Sequence, residues 1–224
     1  MTNTLHRYGH SESFHDDYII FAIPSRGKND EDCVPKLKHF LRICAKYHPS
    51  NMGNGNRGSL APQKGLGPTA HWSRNNKPDW DTVIEEVHKP GTVSAVFSSS
   101  EQAHACLKEV IAADLGISVN MSTSVENAKC AAHACGIKRH SVEYALAFND
   151  PHDHLPNSQI LALSTMCGHG MVSFNMARKM LDMVREGRRT TDQAVTTLMR
   201  LCPCGVYNPE RAKRLIEEAC KEQK

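Results

Sequence analysis

Two short stretches carry the residue types and spacings best suited to soft-metal or thiol chemistry. Cys167-Gly168-His169-Gly170 puts a thiol and an imidazole in a glycine-flanked turn, and Cys202-Pro203-Cys204-Gly205 puts two thiols one residue apart in another. Glycine beside a sulfur lets backbone N–H groups approach it, while proline removes a competing donor and stiffens the turn. Thiolates gain from such N–H groups, so Cys167, Cys202 and Cys204 are read as metal ligands. Three thiolates satisfy three irons of a [4Fe–4S] cluster and leave the fourth open as a Lewis acid for a substrate hydroxyl, carboxylate or thiol. Adding His169 gives instead a tetrahedral Cys3His set for zinc. The cluster is the leading expectation and zinc the alternative. A Cys-x-Cys pair is less specific than paired Cys-x-x-Cys knuckles, so buried or incidental thiols remain the bland reading.

Other candidates surround these turns. His152 and His154, with Asp150 and Asp153, form a polar loop that suits proton transfer, although Asp- and Pro-rich loops are often simply turns. From Pro49 to Pro78 there is no acidic residue, while Arg57, Lys64, Arg74 and Lys77 are present. That basic stretch is expected to act as a lid, with Arg57 or Arg74 pairing with a small anionic substrate. His169 or His154 would move the proton in a lyase or hydrolase reaction. One rival is a thiol enzyme with Cys167 as nucleophile, His169 or His152 as base, and the Gly168 amide in an oxyanion hole. Another is a non-catalytic metal-binding or electron-transfer module, its cluster fully ligated with Cys135 as fourth ligand. Cys106, Cys130 and Cys135 lie on predicted helices; the last two are about 140° apart around the axis, so they share no face. Cys44, Cys106 and Cys130 are read as core, and Cys33 and Cys220 as incidental.

Bulk properties narrow the classes. A chain of 224 residues with 40% hydrophobic and 23% charged residues is an ordinary globular composition. A net charge of +3 is too small to imply nucleic-acid binding. No run of about 18 apolar residues exists, so no membrane span is expected. The first residues lack the apolar core of a secretion signal, which makes a cytoplasmic protein the default. Nine cysteines is an odd number, unsuited to a complete disulfide framework and better explained by burial and metal ligation.

The elements that must position these residues follow the α/β pattern. Residues 1–17 read as a polar, mobile arm and 18–165 as an α/β domain. Its sheet has about five strands with flanking helices, and 166–224 is a helical segment carrying the cysteine turns. Strands are expected at Tyr18–Ile23, Ser94–Phe97, Ile117–Ser122, Ser141–Phe148 and Ile160–Thr165. Helices are expected from about Val34 to Tyr47, over Trp80–Val87, after Ser98-Ser99-Ser100-Glu101, and after Thr123-Ser124-Val125-Glu126. Three more follow: Met171–Glu186, one from the Thr190-Thr191-Asp192-Gln193 box, and one opened by Asn208-Pro209. Residues 48–80 show neither period. Gly53-Asn54-Gly55-Asn56-Arg57-Gly58 matches G-x-G-x-x-G but follows a helix and opens none, so a dinucleotide site is rejected. Sheet order stays open between a parallel, doubly wound layer and a mixed, ferredoxin-type one.

Overall fold

The computed structural model describes residues 7–55, 79–139, 155–202 and 204–222. The apolar run Tyr18–Ile23 becomes strand β1, and its six residues are all buried. A strand points alternate side chains to opposite faces, so an uninterrupted apolar run requires cover on both. Tyr18, Ile20 and Ala22 enter one core and Ile19, Phe21 and Ile23 the other.

Three further strands, β2 (Asn51–Asn54), β3 (Val93–Phe97) and β4 (Ser118–Ser122), complete the sheet among the described residues. The order is β2-β3-β1-β4, and every pairing is antiparallel. With helices between β1 and β2 and between β3 and β4, this is the split β-α-β order of a ferredoxin-like layer. The class is therefore α/β, with an antiparallel sheet of four strands.

Each face has its own helices. On one side, α1 (Cys33–Lys46), α2 (Trp80–Glu85), α3 (Ser100–Ala112) and α4 (Val125–Ala134) contribute to a core with Leu37, Phe40, Leu41, Val83, Leu107 and Ala131. On the other, α5 (Ser158–Ser164), α6 (Phe174–Arg185), α7 (Thr191–Met199) and α8 (Pro209–Lys221) supply Leu163, Leu181, Leu198 and Ile216. Caps set the helix starts. Thr190 and Gln193 exchange side-chain and backbone bonds in a full capping box. Asn208 accepts from the backbone N–H groups of Glu210 and Arg211. Ser99 and Ser124, rather than Ser98 and Thr123, cap α3 and α4.

The sheet has four strands among the described residues where the sequence suggested about five, and two expectations about particular segments change as well. The run Ile160–Thr165 is not a strand: Ile160–Ser164 lies in α5, with Thr165 as its C-cap, and Asn157 caps the helix start by accepting from the Ile160 N–H. A short apolar run buried all round has no period to separate strand from helix. Leucine and alanine with an asparagine cap favour the helix here. Conversely, the stretch read as structureless contains β2, which is fully buried. Asn-Met-Gly-Asn has poor strand propensity, and it is its pairing with β3 that holds it extended. The expected strand at Ser141–Phe148 lies outside the described residues. No helix among the described residues is long and apolar enough to cross a membrane.

Candidate metal centre

The two cysteine turns meet on the α5–α8 side of the sheet. The first leaves the C-terminus of α5, where the Gly168 N–H bonds to Thr165 O at 2.8 Å and Gly168 and Gly170 both take positive φ. Ser164 donates to Val172 O at 2.5 Å and closes the loop from below. The second leaves α7, with the Cys202 N–H bonded to Met199 O at 3.0 Å.

The second turn lies directly on strands β2 and β3. A methyl group on Gly53 would stand 1.7 Å from Cys204 O, and one on Gly205 would stand 2.4 Å from Gly53 Cα. Only two glycines permit that approach, and Gly205 also has a φ of 70°. Ser94 donates to Cys204 O at 3.0 Å, and Asn51 Nδ2 donates to Tyr207 O at 2.9 Å. Fully buried Tyr207 donates in turn to Leu163 O on α5 at 3.3 Å. The polar face of a poor strand is thus the seat of the Cys202–Cys204 turn.

Four candidate ligand side chains converge there. The Cys202 and Cys204 sulfurs are 3.3 Å apart, and Cys204 Sγ is 3.3 Å from His169 Nδ1. Cys167 lies near enough to Cys202 and His169 for each to shift its thiol. Cys167 and Cys202 are buried, Cys204 is half-buried, and His169 is exposed at the outer edge. The hydrogen bond to Cys202, then burial, pushes the Cys167 thiol up to about 12. Cys202 is pulled down by Cys167, but its bond to Cys204 and its burial prevail and carry it up to about 12. Donation from Cys202 lowers the Cys204 thiol, and the bond with Cys167 raises the His169 imidazole. Backbone N–H groups also favour the thiolates: that of His169 at Cys167, and that of Val206 at both Cys202 and Cys204.

Among the described residues, no group of three or more His, Cys, Asp or Glu side chains is arranged so that it could hold a metal ion as it stands. The convergent side chains hydrogen-bond one another instead. Tetrahedral zinc with Zn–S near 2.3 Å sets its sulfurs about 3.8 Å apart. The 3.3 Å contact between Cys202 and Cys204 would therefore open by about half an ångström. The donor types, three thiols and an imidazole, are those that a thiophilic metal takes.

Of the residues singled out in the sequence, Cys167, His169, Cys202 and Cys204 come together. His152, His154, Arg57 and Arg74 lie outside the described residues. Cys135 does not join them: its thiol bonds to His104 O at 3.8 Å and it packs on the opposite face of the sheet. Cys33, Cys44 and Cys106 are buried in that other core, whereas Cys130, read as core, is exposed. The seat formed by Gly53, Ser94 and Asn51 went unread; its one signal was a glycine between Met52 and Asn54, a mark of close backbone approach once the stretch is a strand. No family model, curated protein or solved structure matches this chain. The functional reading therefore rests on the site itself.

Proposed function

We propose that this is a metal-binding protein whose two cysteine turns hold one thiophilic ion, zinc first, through Cys167, Cys202, Cys204 and His169. The observation that carries the reading is the meeting of Cys204 with both Cys202 and His169 at 3.3 Å, across turns 35 residues apart in sequence. In a [4Fe–4S] cluster each thiolate takes its own iron, which calls for wider separation of the sulfurs than ligands of one ion need. The close sulfur contact thus favours the zinc alternative over the cluster expected from the sequence.

Its enzymatic form is a lyase or hydrolase acting on a small anionic molecule. Bound metal would supply Lewis-acid polarisation of a substrate oxygen. Three sulfurs on the inner side would hold the ion, while exposed His169 stands where a substrate can displace it and where a proton can be taken up. A nucleophilic role for Cys167 is poorly supported, because its thiol is buried and pushed up to about 12.

Metal and acid-labile sulfide analysis of protein purified without oxygen tests the reading. One zinc per chain without sulfide supports the Cys3His site. Near-stoichiometric iron and sulfide with a brown colour restores the cluster. Metal-free protein that also fails to take up added zinc overturns both.

A further inference from the structure

A buried charge cluster lies beside the metal centre and is not used by it. The side chains of Asp17 and Arg211 are fully buried and that of Arg7 is 4% exposed. Asp17 pairs with Arg7 and accepts from Arg211 Nη1 at 2.9 Å and Asn208 Nδ2 at 3.0 Å. Two guanidinium groups against one carboxylate leave a positive excess. The ring of Phe14 meets it, with its centroid 3.9 Å from Arg211 Cζ and 4.9 Å from Arg7 Cζ. Arg211 Nη2 donates to Ser13 Oγ at 2.9 Å and to Tyr8 O at 3.4 Å. Residues 7–17, read from the sequence as a mobile arm, are therefore packed through charges that a hydropathy pattern does not reveal.

The same bonds reach both cysteine turns. Arg7 Nε donates at 2.9 Å to Met166 O, the carbonyl of the peptide whose nitrogen belongs to Cys167. The Tyr8 N–H donates to Thr165 Oγ1 at 3.0 Å. On the other side, Asn208 and Arg211 open α8 directly after the Cys204–Tyr207 turn, and Asn208 Nδ2 also donates to Asp16 O at 2.9 Å. One carboxylate, Asp17, thus links the Cys167 turn through Arg7 to the Cys202–Cys204 turn through Asn208 and Arg211.

We propose that residues 7–17 form a clasp that holds the two cysteine turns together so that they can close on a metal, with Arg7 as its positioning residue. Docking of the segment and loading of the metal then strengthen one another, a reciprocity required of any two linked equilibria. The clasp rests on the metal reading above. It adds that a segment distant in sequence from every ligand governs affinity, and that displacing this segment loosens the ion.

The test uses the full chain, Co2+ as probe, and the sulfur-to-cobalt absorbance as readout. Arg7→Gln removes one of the two cations on Asp17 but leaves Arg211 to neutralise it, so it is milder than stranding Arg211 by removing Asp17. It is expected to weaken Co2+ binding about tenfold and to shift the ligand-field bands, within the usual range of linkage between sites. Arg7→Lys, which keeps the charge without the forked donor, should recover part of the loss. Ile43→Val, in the opposite core, should lower the melting temperature and leave Co2+ affinity and spectrum unchanged. In the wild type, saturating Co2+ should slow trypsin cleavage after Arg7 by about the same factor.

If the wild type takes up no Co2+, the metal reading and the clasp fall together. If it binds Co2+ and Arg7→Gln binds as tightly with the same spectrum, the clasp alone is overturned. Should Arg7→Gln not fold, the cleavage rate decides: no protection by Co2+ overturns the clasp and leaves the metal reading standing.

Discussion

Both cores of this protein hold a pair of close thiols, yet only one pair belongs to a candidate site. On the α1–α4 side, the Cys106 thiol donates to Cys44 Sγ at 3.7 Å. Both side chains sit on helix interiors among apolar neighbours, and burial drives the Cys44 thiol well above its ordinary value. On the α5–α8 side, Cys202 and Cys204 are 3.3 Å apart on a glycine turn, with a third thiol, an imidazole and inward backbone N–H groups around them. Sulfur proximity alone is therefore no sign of a metal site. What separates the pairs is the backbone: a helix spends its N–H groups on its own carbonyls, whereas a turn leaves some free to face sulfur.

The largest expected difference between the pairs is in metal content. Cys167→Ser or Cys202→Ser should reduce zinc affinity about a hundredfold or more, because structural zinc sites draw most of their binding free energy from their ligands. Cys44→Ala and Cys106→Ala should keep full metal stoichiometry and lose only about 1–2 kcal/mol of stability, as small buried groups do. Equilibrium dialysis with elemental analysis, alongside urea unfolding, checks both halves. Metal loss in Cys44→Ala would erase the distinction.

A smaller effect probes the seat of the turn. Gly53→Ala would drive a methyl group into Cys204 O, so β2 or the cysteine turn must move. A loss of about 2–3 kcal/mol is expected from such overpacking, together with weaker metal binding. Gly27→Ala provides the contrast: its φ is 69° but a methyl group there meets nothing within 4 Å. It should cost about 1 kcal/mol through backbone strain and leave the metal untouched. Equal metal affinity in the two variants would mean that Gly53 does not set the turn.

How much of this could be read from the sequence differs between the same two regions. The α1–α4 side follows local rules: apolar spacing in α1, serine caps on α3 and α4, and a positive-φ Gly116 after α3. The cysteine turns were also legible, since Gly, Pro and Asn-Pro punctuate them. Three things were not. The run Ile160–Ser164 is buried all round, and burial without a period hides the element type. The strand Asn51–Asn54 exists because β3 and the Cys204 turn lie against it, which is a tertiary cause. The third, Asp17, pairs with Arg7 ten residues away and with Arg211 194 residues away, and no local window contains that second pairing.

Loading the metal should release protons, and the pH dependence follows from the thiols. Cys167 and Cys202, both pushed up to about 12, are neutral near pH 7 in the absence of metal. A ligated sulfur must be a thiolate, so at least these two protons leave on binding. Apparent zinc affinity should rise steadily from pH 6 to pH 8, and calorimetry in buffers of different ionisation enthalpy would count the protons. The Cys44–Cys106 pair should contribute nothing to that count. A release of fewer than two protons would mean that Cys167 or Cys202 does not ligate.

The smallest effect concerns acid stability, where the two regions again part. Arg214 Nε donates to Asp16 at 2.8 Å, and Nη2 donates to its other oxygen at 2.9 Å. Burial alone would raise the Asp16 carboxyl, but the Arg214 hydrogen bond and charge overcome it and hold it below its ordinary 3.8. A carboxyl depressed in the folded state stabilises the protein above its unfolded value and loses that contribution as pH falls through the folded one. The contribution should therefore be whole at pH 5, begin to fall near the ordinary 3.8, and be gone only once the pH is below the lower folded value. Asp16→Asn should lower stability by under about 1 kcal/mol at neutral pH and flatten the acid limb of the unfolding curve. Glu85, across the sheet, is lowered by Lys38 and then Arg42, but it is exposed and its ion pairs are screened by water. Glu85→Gln should leave the melting temperature and the acid limb where they are. If Asp16→Asn behaves the same way, the Asp16–Arg214 pair fastens nothing, and the burden of holding residues 7–17 falls on Asp17 and its two arginines.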